Sequence, residues 1–305
     1  MDVSVVIVNY NTLELTKNTI ESVFEKTEGI SYEIILIDNA SSDGSVEYFE
    51  NNYKNRITFI KNDKNLGFGR ANNKGMEIAK GEYIFLLNSD TLLINNAIKI
   101  LFDFMEKNKK CGACGGNLYT EKFEETNSYR RTMLNPKGLL FEDLKNSLEI
   151  RITRNNILKR LNIKISTFNY SIYPKRVDII IGADLMLRKD LLDKIGYFDE
   201  DFFLYHEESE LCNRILKNNF EIYSVPDAKI IHLEGKSGFK DEKFRLYMKH
   251  YYIFFAKVGG KKIVKEAYFY LQLKHLLILN MKRYKINKEE YQKFLQNYKN
   301  LRKDY

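Results

Sequence analysis

The run V-S-V-V-I-V-N at residues 3–9 is almost continuously apolar and rich in β-branched side chains, which is typical of a strand buried on both faces. Three further runs of this kind follow, at residues 33–38, 57–60 and 83–87. Around them, apolar residues recur with helical spacing at about residues 13–24, 43–52, 69–79 and 95–107. Strands that alternate with helices in this way predict an α/β fold, with a mostly parallel sheet flanked by helices.

The composition is that of a folded globular chain. Of the 305 residues, 44% are hydrophobic and 30% are charged, which excludes a disordered or fibrous chain. Three cysteines are too few for a disulfide framework, and Met1 is followed at once by a strand-like run rather than by a signal peptide. The best candidate for a membrane span, residues 268–281, is shorter than the about 20 residues required. We therefore expect a cytoplasmic protein.

The formal net charge of +8 is unevenly distributed along the chain. Residues 240–285 contain 12 Lys or Arg residues against three Asp or Glu residues, and residues 151–176 contain seven against none. Uniform basicity would suggest nucleic acid as the partner of the whole chain. This separation indicates instead that one part of the protein meets an anionic surface. The alternative is that both basic segments are solvated helix faces.

The second half of the chain has a different pattern. Residues 119–176 lack a clean period, and the sequence after them predicts a strand, a helix and two short strands split by Pro226, at residues 177–187, 207–218, 221–225 and 228–232. Beyond Gly238 the pattern becomes helical. Gly259-Gly260 indicates a break and Asn287 a helix cap, so we predict helices at residues 241–257, 261–281 and 287–302.

Polar side chains cluster where three of the predicted strands end. The clusters are Asn9-Tyr10-Asn11, Asp38-Asn39 and Asn88-Ser89-Asp90. In parallel sheets, ligands bind beyond the carboxyl ends of the strands. Asp38 is suited to accept a hydrogen bond from a nucleobase or a ribose hydroxyl, and Asp90 is a hard oxygen ligand suited to Mg²⁺ or Mn²⁺. For each, the alternative is that the side chain caps the next turn.

Further candidate residues lie between these strands. The glycines of N-L-G-F-G-R at residues 65–70 let the backbone approach an anion that Arg70 would clamp, unless the segment is an ordinary turn. The acids at residues 206–210 begin a helix, which its dipole favours, but burial would raise a carboxyl pKa towards that of a general base. His232 is a candidate metal ligand or a surface histidine. We interpret C-G-A-C-G-G at residues 111–116 as a tightly packed strand, with a redox motif as the alternative.

The order and spacing of these motifs resemble those of glycosyltransferase family 2. The resemblance is carried by V-S-V-V-I-V-N-Y-N, I-I-L-I-D-N-A-S-S-D-G-S, N-L-G-F-G-R-A-N-N-K-G and G-E-Y-I-F-L-L-N-S-D-T. The segment from G-A-D-L-M-L-R to H-E-E-S-E-L-C-N-R at residues 182–214 continues it. The chain is most similar to the rhamnosyltransferase-like branch, which builds bacterial surface polysaccharides. The resemblance extends over about residues 2–260 and is looser at residues 119–176.

The resemblance implies a GT-A fold with a Rossmann-like sheet, a nucleoside-diphosphate sugar as donor, Mg²⁺ or Mn²⁺ as cofactor, and inversion at the anomeric carbon. It assigns the catalytic base to Glu208 and the metal to Asp90 and His232. It assigns binding of the donor to Asn9, Tyr10, Asn11, Asp38, Asn65, Arg70, Asn88 and Ser89. The acceptor side is assigned to Gly182, Ala183, Asp184 and Glu207.

Two positions depart from the usual family pattern. Asn88 stands where the first acid of the D-x-D motif is usual, which leaves less negative charge on the metal. Glu208 stands where aspartate is usual, and Glu210 replaces the acid two residues further on. Because both departures fit the rhamnosyltransferase-like branch, we do not interpret them as loss of activity.

The function that this resemblance implies is metal-assisted single displacement. A sugar, with rhamnose among the candidates, moves from a nucleoside-diphosphate donor to a hydroxyl of a growing surface glycan or a lipid-linked acceptor. We expect a catalytic domain at residues 1–239, with a nucleotide-sugar half at 1–118 and an acceptor half at 119–239, followed by a helical extension at 240–305. The alternatives are a sugar nucleotidyltransferase, although residues 9–12 lack the expected glycine-rich loop, and a non-catalytic basic protein that binds membrane or RNA.

The helical extension combines its basic charge with aromatic residues, among them Phe244, Tyr247, Tyr251, Tyr252, Phe254, Phe255, Tyr268, Phe269 and Tyr270. Basic and aromatic residues together favour a peripheral contact with an anionic membrane at the cytoplasmic face. The alternative is that the aromatic side packs against protein as core. We expect no nucleic-acid partner, and the sequence leaves the oligomeric state open.

Overall fold

The computed structural model describes residues 1–130, 170–233, 241–277 and 280–301 of the chain. These residues belong to two units, the first containing residues 1–130 and 170–233 and the second residues 241–277 and 280–301. The greater part of the basic run at residues 151–176 lies outside the described residues. So does the segment that follows Leu233 as far as residue 240.

The first unit alternates strands and helices, as the sequence predicts. Its strands are β1 Val3–Asn9, β2 Tyr32–Asp38, β3 Thr58–Lys61, β4 Tyr83–Asn88, β5 Thr91–Leu93, β6 Cys111–Tyr119, β7 Tyr129–Arg130, β8 Lys175–Val177, β9 Ile179–Ile180, β10 Asp184–Arg188 and β11 Glu221–His232. Its helices are α1 Leu13–Lys26, α2 Ser45–Asn52, α3 Phe68–Ile78, α4 Ala97–Lys107, α5 Lys189–Ile195 and α6 Glu207–Lys217.

Nine of the described strands form one sheet in the order β3-β2-β1-β4-β10-β6-β11-β5, with β8 paired to β11. The half of the sheet built from β3, β2, β1 and β4 is parallel. Strand β10 then runs antiparallel between β4 and β6. The chain order reverses between β1 and β4, and such a switch point is where open α/β sheets bind ligands. At this point β1 pairs Asn9 with Asp38 of β2 and Val8 with Asn88 of β4.

The apolar runs form the predicted strands because both faces of the sheet are covered. Val5 and Ile7 of β1 are fully buried in one core with Ile20 of α1 and Leu101 of α4. Val6 faces the other way, towards α3, where a Cβ on Gly75 would overlap its Cγ1 atom. The strand β6 is entirely buried except at its last residue, which confirms the interpretation of C-G-A-C-G-G as a packed strand.

Several boundaries differ from the sequence prediction. The strand expected at residues 177–187 is divided into β8, β9 and β10, because the chain bends at Asp178 and turns at Gly182-Ala183. The two strands expected around Pro226 are one strand, β11, whose pairing with β6 shifts register between Ser224 and Lys229. The short strand β5 and the helix α5 were not predicted.

The second unit contains helices α7 Asp241–Leu277 and α8 Met281–Leu301. The predicted break is confirmed, because Gly260 has a φ of 67° and a ψ of −164° inside α7. The predicted cap at Asn287 is wrong. Helix α8 already begins at Met281, and Asn287 lies buried within it, where it accepts a hydrogen bond from the Tyr252 hydroxyl. A buried amide with a tertiary partner has no need to serve as a cap.

The aromatic side chains of α7 mainly form core. Tyr251, Tyr252, Phe254 and Phe255 are all buried. The Tyr252 ring centroid lies 5.7 Å from that of Phe294, and the rings of Tyr268 and Tyr291 stack at 3.9 Å. The four buried rings are therefore unavailable to a membrane surface, and the alternative of core packing applies to them. Among the helices that the structure describes, none is both long and apolar enough to cross a bilayer.

Helix α3 offers a matched test of this packing, because it contains two glycines in different surroundings. A Cβ on Gly75 would overlap the stiff, buried side chain of Val6, whereas a Cβ on Gly69 would find its nearest neighbour at 3.5 Å. We expect Gly75→Ala to lower the free energy of unfolding by about 1–3 kcal/mol, the usual range for overpacking. Gly69→Ala should leave it unchanged or raise it by up to about 1 kcal/mol, because the methyl group has room and alanine favours a helix over glycine. Equal effects in urea unfolding would contradict this account of the β1–α3 contact.

Candidate functional site

The candidate site begins where β1 and β2 end side by side. Asn9 and Asp38 are both fully buried, and Asn9 Nδ2 donates to Asp38 Oδ1 at 2.7 Å. The other carboxylate oxygen accepts the backbone N–H of Ser41 at 2.9 Å. Asp38 thus has the capping role that the sequence left open as an alternative. A buried carboxylate needs such donors, since losing one partner leaves an uncompensated charge.

The loops after β1 and β2 are bonded to each other. The Ser41 hydroxyl accepts the Asn11 N–H at 2.9 Å, and Asn11 Oδ1 accepts the Ser42 N–H at 2.7 Å. Asp43 Oδ2 accepts the N–H of Leu13, the first residue of α1, at 3.0 Å. Asp43 therefore caps the start of α1. These bonds hold the exposed Tyr10 and Asn11 at the rim of the site.

A second buried amide joins the end of β2 to the glycine-rich loop. Asn39 Oδ1 accepts the Leu66 N–H at 3.0 Å, and Asn39 Nδ2 donates to Asn65 Oδ1 at 2.9 Å. Asn65 Oδ1 also accepts the Gly67 N–H at 2.9 Å. Asn39 was not among the predicted site residues, although the polar run D-N-A-S-S-D contains it. It brings the predicted donor residue Asn65 next to the end of β2.

The glycine-rich loop in turn contacts the segment before α6. The Phe68 N–H donates to the Phe203 carbonyl at 2.8 Å, and a Cβ on Gly67, whose φ is 85°, would overlap that carbonyl oxygen. Only glycine therefore suits this position. Arg70 donates from Nε and Nη2 to the Glu200 carbonyl at 3.1 and 2.9 Å, and its side chain is 48% exposed. In this conformation Arg70 connects the first turn of α3 to the loop that contains Glu200 rather than lining the ends of the strands.

Asn88-Ser89-Asp90 follows β4 at the switch point. The Asn88 N–H donates to the Ala183 carbonyl at 3.0 Å, and the Ser89 hydroxyl lies 3.1 Å from that of Thr12. Asn88 Oδ1 is buried and has no hydrogen-bond donor among the described residues. The segment is thus anchored to α1 on one side and to the start of β10 on the other.

The side chains of Asp90 and His232 lie next to each other. His232 ends β11 opposite Thr91 of β5, and this pairing places His232 Nε2 3.3 Å from Asp90 Oδ1. The Leu233 N–H also donates to the Asp90 carbonyl at 2.8 Å. Both side chains are partly exposed, at 15% and 19%. A carboxylate oxygen and an imidazole nitrogen form a donor pair that suits Mn²⁺, and the carboxylate suits Mg²⁺ as well. In the described part of the chain, no group of three such residues surrounds a common point.

The two adjacent glutamates at the start of α6 have different surroundings. Glu208 is partly exposed, and its Cβ and Cγ lie 3.6 Å from where a Cβ on Gly182 would be. Glu207 is 3% exposed, and its Oε2 finds no donor among the described residues. Burial, followed by the neighbouring Glu208 carboxylate, raises the pKa of Glu207 well above its usual range. Burial also raises the pKa of Glu208, against the opposing charge of Arg130.

Helix α6 is held in place by an ion pair that the sequence analysis missed. Arg214 donates to both carboxylate oxygens of the buried Glu210 at 2.8 and 2.9 Å. Its remaining N–H groups donate to the carbonyls of Ile195, Gly196 and Tyr197 at the end of α5. The acid and arginine at i and i+4 were the signal for this pair. Arg214 therefore sets the position of the helix that begins with the two glutamates.

Three of the four residues predicted on the acceptor side, Ala183, Asp184 and Glu207, are buried, and only Gly182 is partly exposed. Asp184 is the one of them that joins two strands. Its side chain is fully buried within the sheet, and Oδ2 accepts the Gly116 N–H at 2.5 Å. Burial raises the pKa of this carboxyl well above its usual range. Asp184 therefore joins β10 to β6 rather than facing an acceptor, whereas Gly182 does lie beside Glu208.

Glu207→Gln tests the protonation state of the buried carboxyl. A raised pKa keeps folded Glu207 protonated where the unfolded chain already ionises, so wild-type stability falls as the pH rises above about 4.5. Glutamine cannot ionise, so the variant should lose less stability between about pH 5 and about pH 8. Urea unfolding over this range measures the difference, with the exposed Glu121→Gln as control. Parallel pH dependences for wild type and Glu207→Gln would show that the buried carboxyl is ionised.

The curated proteins that match this chain in sequence include the two relatives described next. An uncharacterised glycosyltransferase of Methanocaldococcus jannaschii is 36% identical over 110 residues, which are 35% of this chain and 38% of that protein. The low-salt glycan biosynthesis hexosyltransferase Agl10 of Haloferax volcanii is 26% identical over 231 residues, which are 76% of this chain and 67% of that protein. The chain thus spans well under half the length of the first relative.

Among solved structures, the mannosyltransferase PcManGT from Pyrobaculum calidifontis, in complex with GDP-Man and Mn²⁺, has a TM-score of 0.57 at 16% identity. The match covers 96% of this chain and 75% of that one. At this identity the likeness shows the fold alone, and that fold is GT-A, as predicted. The family model for glycosyl transferase family 2 matches residues 4–196. Because this match covers more than half of the sequence, the chain belongs to glycosyltransferase family 2.

Proposed function

We propose that the protein is an inverting glycosyltransferase that moves a sugar from a nucleoside-diphosphate donor to a hydroxyl of a growing glycan or a lipid-linked acceptor. The observation that carries this proposal is the position of Glu208. Its side chain is partly exposed beside Gly182, and the carbonyl of the next residue, Ala183, binds the N–H of Asn88. A short path of direct contacts therefore connects the proposed base to the segment that contains Asp90.

The donor end of the site is proposed to take the nucleoside. The solved mannosyltransferase of the same fold holds GDP-Man, which supports a nucleoside-diphosphate sugar for this chain as well. The exposed Tyr10 and Asn11 are the groups that a nucleobase would meet first, and buried Asp38 holds their loop in place through Ser41. Arg70 uses Nε and Nη2 for Glu200, and its Nη1 carries two further N–H donors for a diphosphate.

Asp90 and His232 are the residues that would hold Mg²⁺ or Mn²⁺. Their two donor atoms lie 3.3 Å apart, so one ion can contact both after a small adjustment. An ion held by two protein ligands keeps positions for phosphate oxygens, which is how Mg²⁺ usually binds in nucleotide sites. When bound, such an ion neutralises the negative charge that develops on the departing diphosphate.

Glu208 is proposed to act as the general base. Its raised pKa brings the carboxylate closer to the range in which a base accepts a proton near neutral pH. The acceptor oxygen forms the new bond to the anomeric carbon as the bond from that carbon to the diphosphate oxygen breaks. The acceptor proton passes to Glu208, and the diphosphate leaves with the bonding electron pair. This single displacement inverts the anomeric centre without a covalent enzyme intermediate.

The finer assignments rest on fewer residues. Asn88 at the first position of N-S-D and the Glu207-Glu208 pair support the rhamnosyltransferase-like branch, and with it rhamnose as a candidate sugar. The three cysteines are all free and buried, which supports work in the reducing cytoplasm. Assembly of a surface glycan on the inner face of the membrane would fit that location.

Glu208→Gln tests the base. The amide keeps the size of the side chain but cannot accept the proton, so the transfer rate should fall by a factor of about 10² or more. Donor affinity should stay within about threefold, because the side chain is placed at the acceptor side. The donor is the nucleotide sugar that gives the largest thermal shift in a panel, and its consumption measures the rate. The matched control is Glu207→Gln, and an inactive control beside an active Glu208→Gln would move the base to Glu207.

Asp90→Asn tests the metal site. The neutral amide is a poorer ligand for a divalent cation, so the variant should lose both turnover and the thermal stabilisation that Mn²⁺ adds in the presence of the nucleotide. Asp103→Asn is the control, because Asp103 lies on α4 and pairs with Lys99. Full wild-type activity in excess EDTA would contradict the assignment.

A further inference from the structure

Large apolar side chains are exposed at the end of helix α7. Phe269, Leu276 and Leu277 are 60%, 49% and 53% exposed, and we call these three residues the apolar tip. The next helix, α8, begins with Met281, which is also 48% exposed. Single exposed apolar residues are ordinary on protein surfaces, but a group of them indicates an interaction site.

The apolar tip lies on one side of α7. Phe269 and Leu276 are seven residues apart and therefore point in almost the same direction, and Leu277 is displaced by about 100° from Leu276. The opposite side of the helix is buried, through Val264, Ala267, Leu271 and His275. Helix α7 thus has apolar residues on both sides in its last turns, whereas a helix that only packs against core needs them on one side.

Exposed lysines occupy the same side of α7, nearer to the kink at Gly260. Lys261, Lys262 and Lys265 are exposed, and we call them the basic collar. At a rise of about 1.5 Å per residue, Lys265 lies about 6 Å along the helix axis from Phe269. Residues 257–285 contain eight Lys or Arg residues and one acid, Glu266, and of the eight Lys282 pairs with Asp241. Because the basic collar and the apolar tip share one side of α7, that side is basic at one end and apolar at the other.

We propose that the apolar tip and basic collar together form a docking surface for anionic membrane lipids. Apolar side chains that enter the boundary of the acyl chains, with lysines behind them at the level of the headgroups, match the layered chemistry of a bilayer surface. The negative charge of the lipids complements the three exposed lysines of the basic collar. This contact goes beyond the transfer reaction, and it would bring the protein to a lipid-linked acceptor.

A second copy of this chain is a poorer occupant. Pairing two apolar tips would bring two basic collars of the same sign together, which is unfavourable. An RNA partner would satisfy the lysines but would leave the apolar tip exposed to water. An anionic bilayer satisfies both parts of the surface. The buried aromatic residues Tyr251, Tyr252, Phe254 and Phe255 take no part in it.

The experiment uses the full chain and two kinds of vesicle, phosphatidylcholine alone and phosphatidylcholine with phosphatidylglycerol. The wild type should sediment with the anionic vesicles only. Binding should weaken at least tenfold between about 0.05 M and about 0.5 M salt, because screening shortens the reach of the lysines. Neutralising the collar in K261Q/K262Q/K265Q should weaken binding by about a hundredfold, since each lysine near an anionic surface contributes about a factor of five.

The apolar tip is tested separately with F269S/L276Q/L277Q, which should weaken vesicle binding at least tenfold. Two control variants remove equally exposed groups from the first unit, F123S/I172Q/Y173S and K54Q/K122Q/K217Q, and both should bind as the wild type does. Thermal unfolding of each variant, unchanged from wild type, shows that the fold is kept.

Four results would overturn the proposal. The first three are equal binding to neutral vesicles, no binding to either kind, and tip and collar variants that bind like the controls. The fourth is loss of a dimer in the tip variant without any vesicle binding, which would assign the surface to a second copy. Transfer to a water-soluble acceptor distinguishes this proposal from the proposed function. If the tip variants keep transfer activity but no longer bind vesicles, both the proposed function and the docking surface are supported. If the wild type binds vesicles but shows no transfer activity, only the docking surface is supported.

Discussion

The buried carboxylate of Asp38 is the constraint on which the rest of the site depends. It ends a strand whose preceding residues are apolar and almost wholly buried, and it is itself fully buried. A charge in such a place is strongly destabilising unless donors surround it, so the loops on either side have to supply them. Asn9 supplies one donor and the Ser41 N–H another. Asn9 is satisfied in turn, since its Oδ1 accepts the hydroxyls of Thr12 and Thr16. One charge thus determines the course of two loops.

Asn39, the residue after Asp38, connects the end of β2 to the opposite side of the site. Asn39 binds the loop around Asn65 and Leu66, and that loop ends at Gly67, against which the Phe203 carbonyl packs. A side chain at Gly67 would force Phe203 away and would move the start of α6 with it. The distance along the chain from Asp38 to Glu208 is large, yet only a few direct contacts separate them. The site is therefore one connected structure rather than a set of independent motifs.

The elements that the sequence predicted best are those whose signals are local. The strands β1, β2 and β4 follow from their apolar runs, and the break in α7 follows from Gly259-Gly260. The pairing of Asp90 with His232 required the family resemblance, because the two residues are far apart in the chain. Asn39 and Asp43 were missed as organising residues, since their partners are contributed by other loops.

The aromatic pattern of α7 shows a different limit of sequence reasoning. Tyr251, Phe254 and Phe255 have the same spacing whether they face a membrane or a protein core, and only the burial of these side chains distinguishes the two. Asn287 is a similar case, because an asparagine before a polar segment is typical of a cap. Here its amide oxygen instead accepts a hydrogen bond from Tyr252 inside the second unit. In both cases, contacts with residues remote in sequence determine whether the side chain is buried.

The two glutamates of α6 show how one helix turn separates two chemical environments. Consecutive residues on a helix point about 100° apart, so Glu207 and Glu208 cannot face the same surroundings. Glu207 is buried next to Gly69 of α3. Glu208 lies beside Gly182, and part of its surface is exposed. Burial raises the pKa of both carboxyls, and the Glu208 carboxylate raises that of Glu207 further. Glu208 is therefore the one of the two that ionises first as the pH rises, and an acceptor hydroxyl can approach its exposed part. The clamp from Arg214 to the end of α5 is what keeps α6 in the orientation that this division requires.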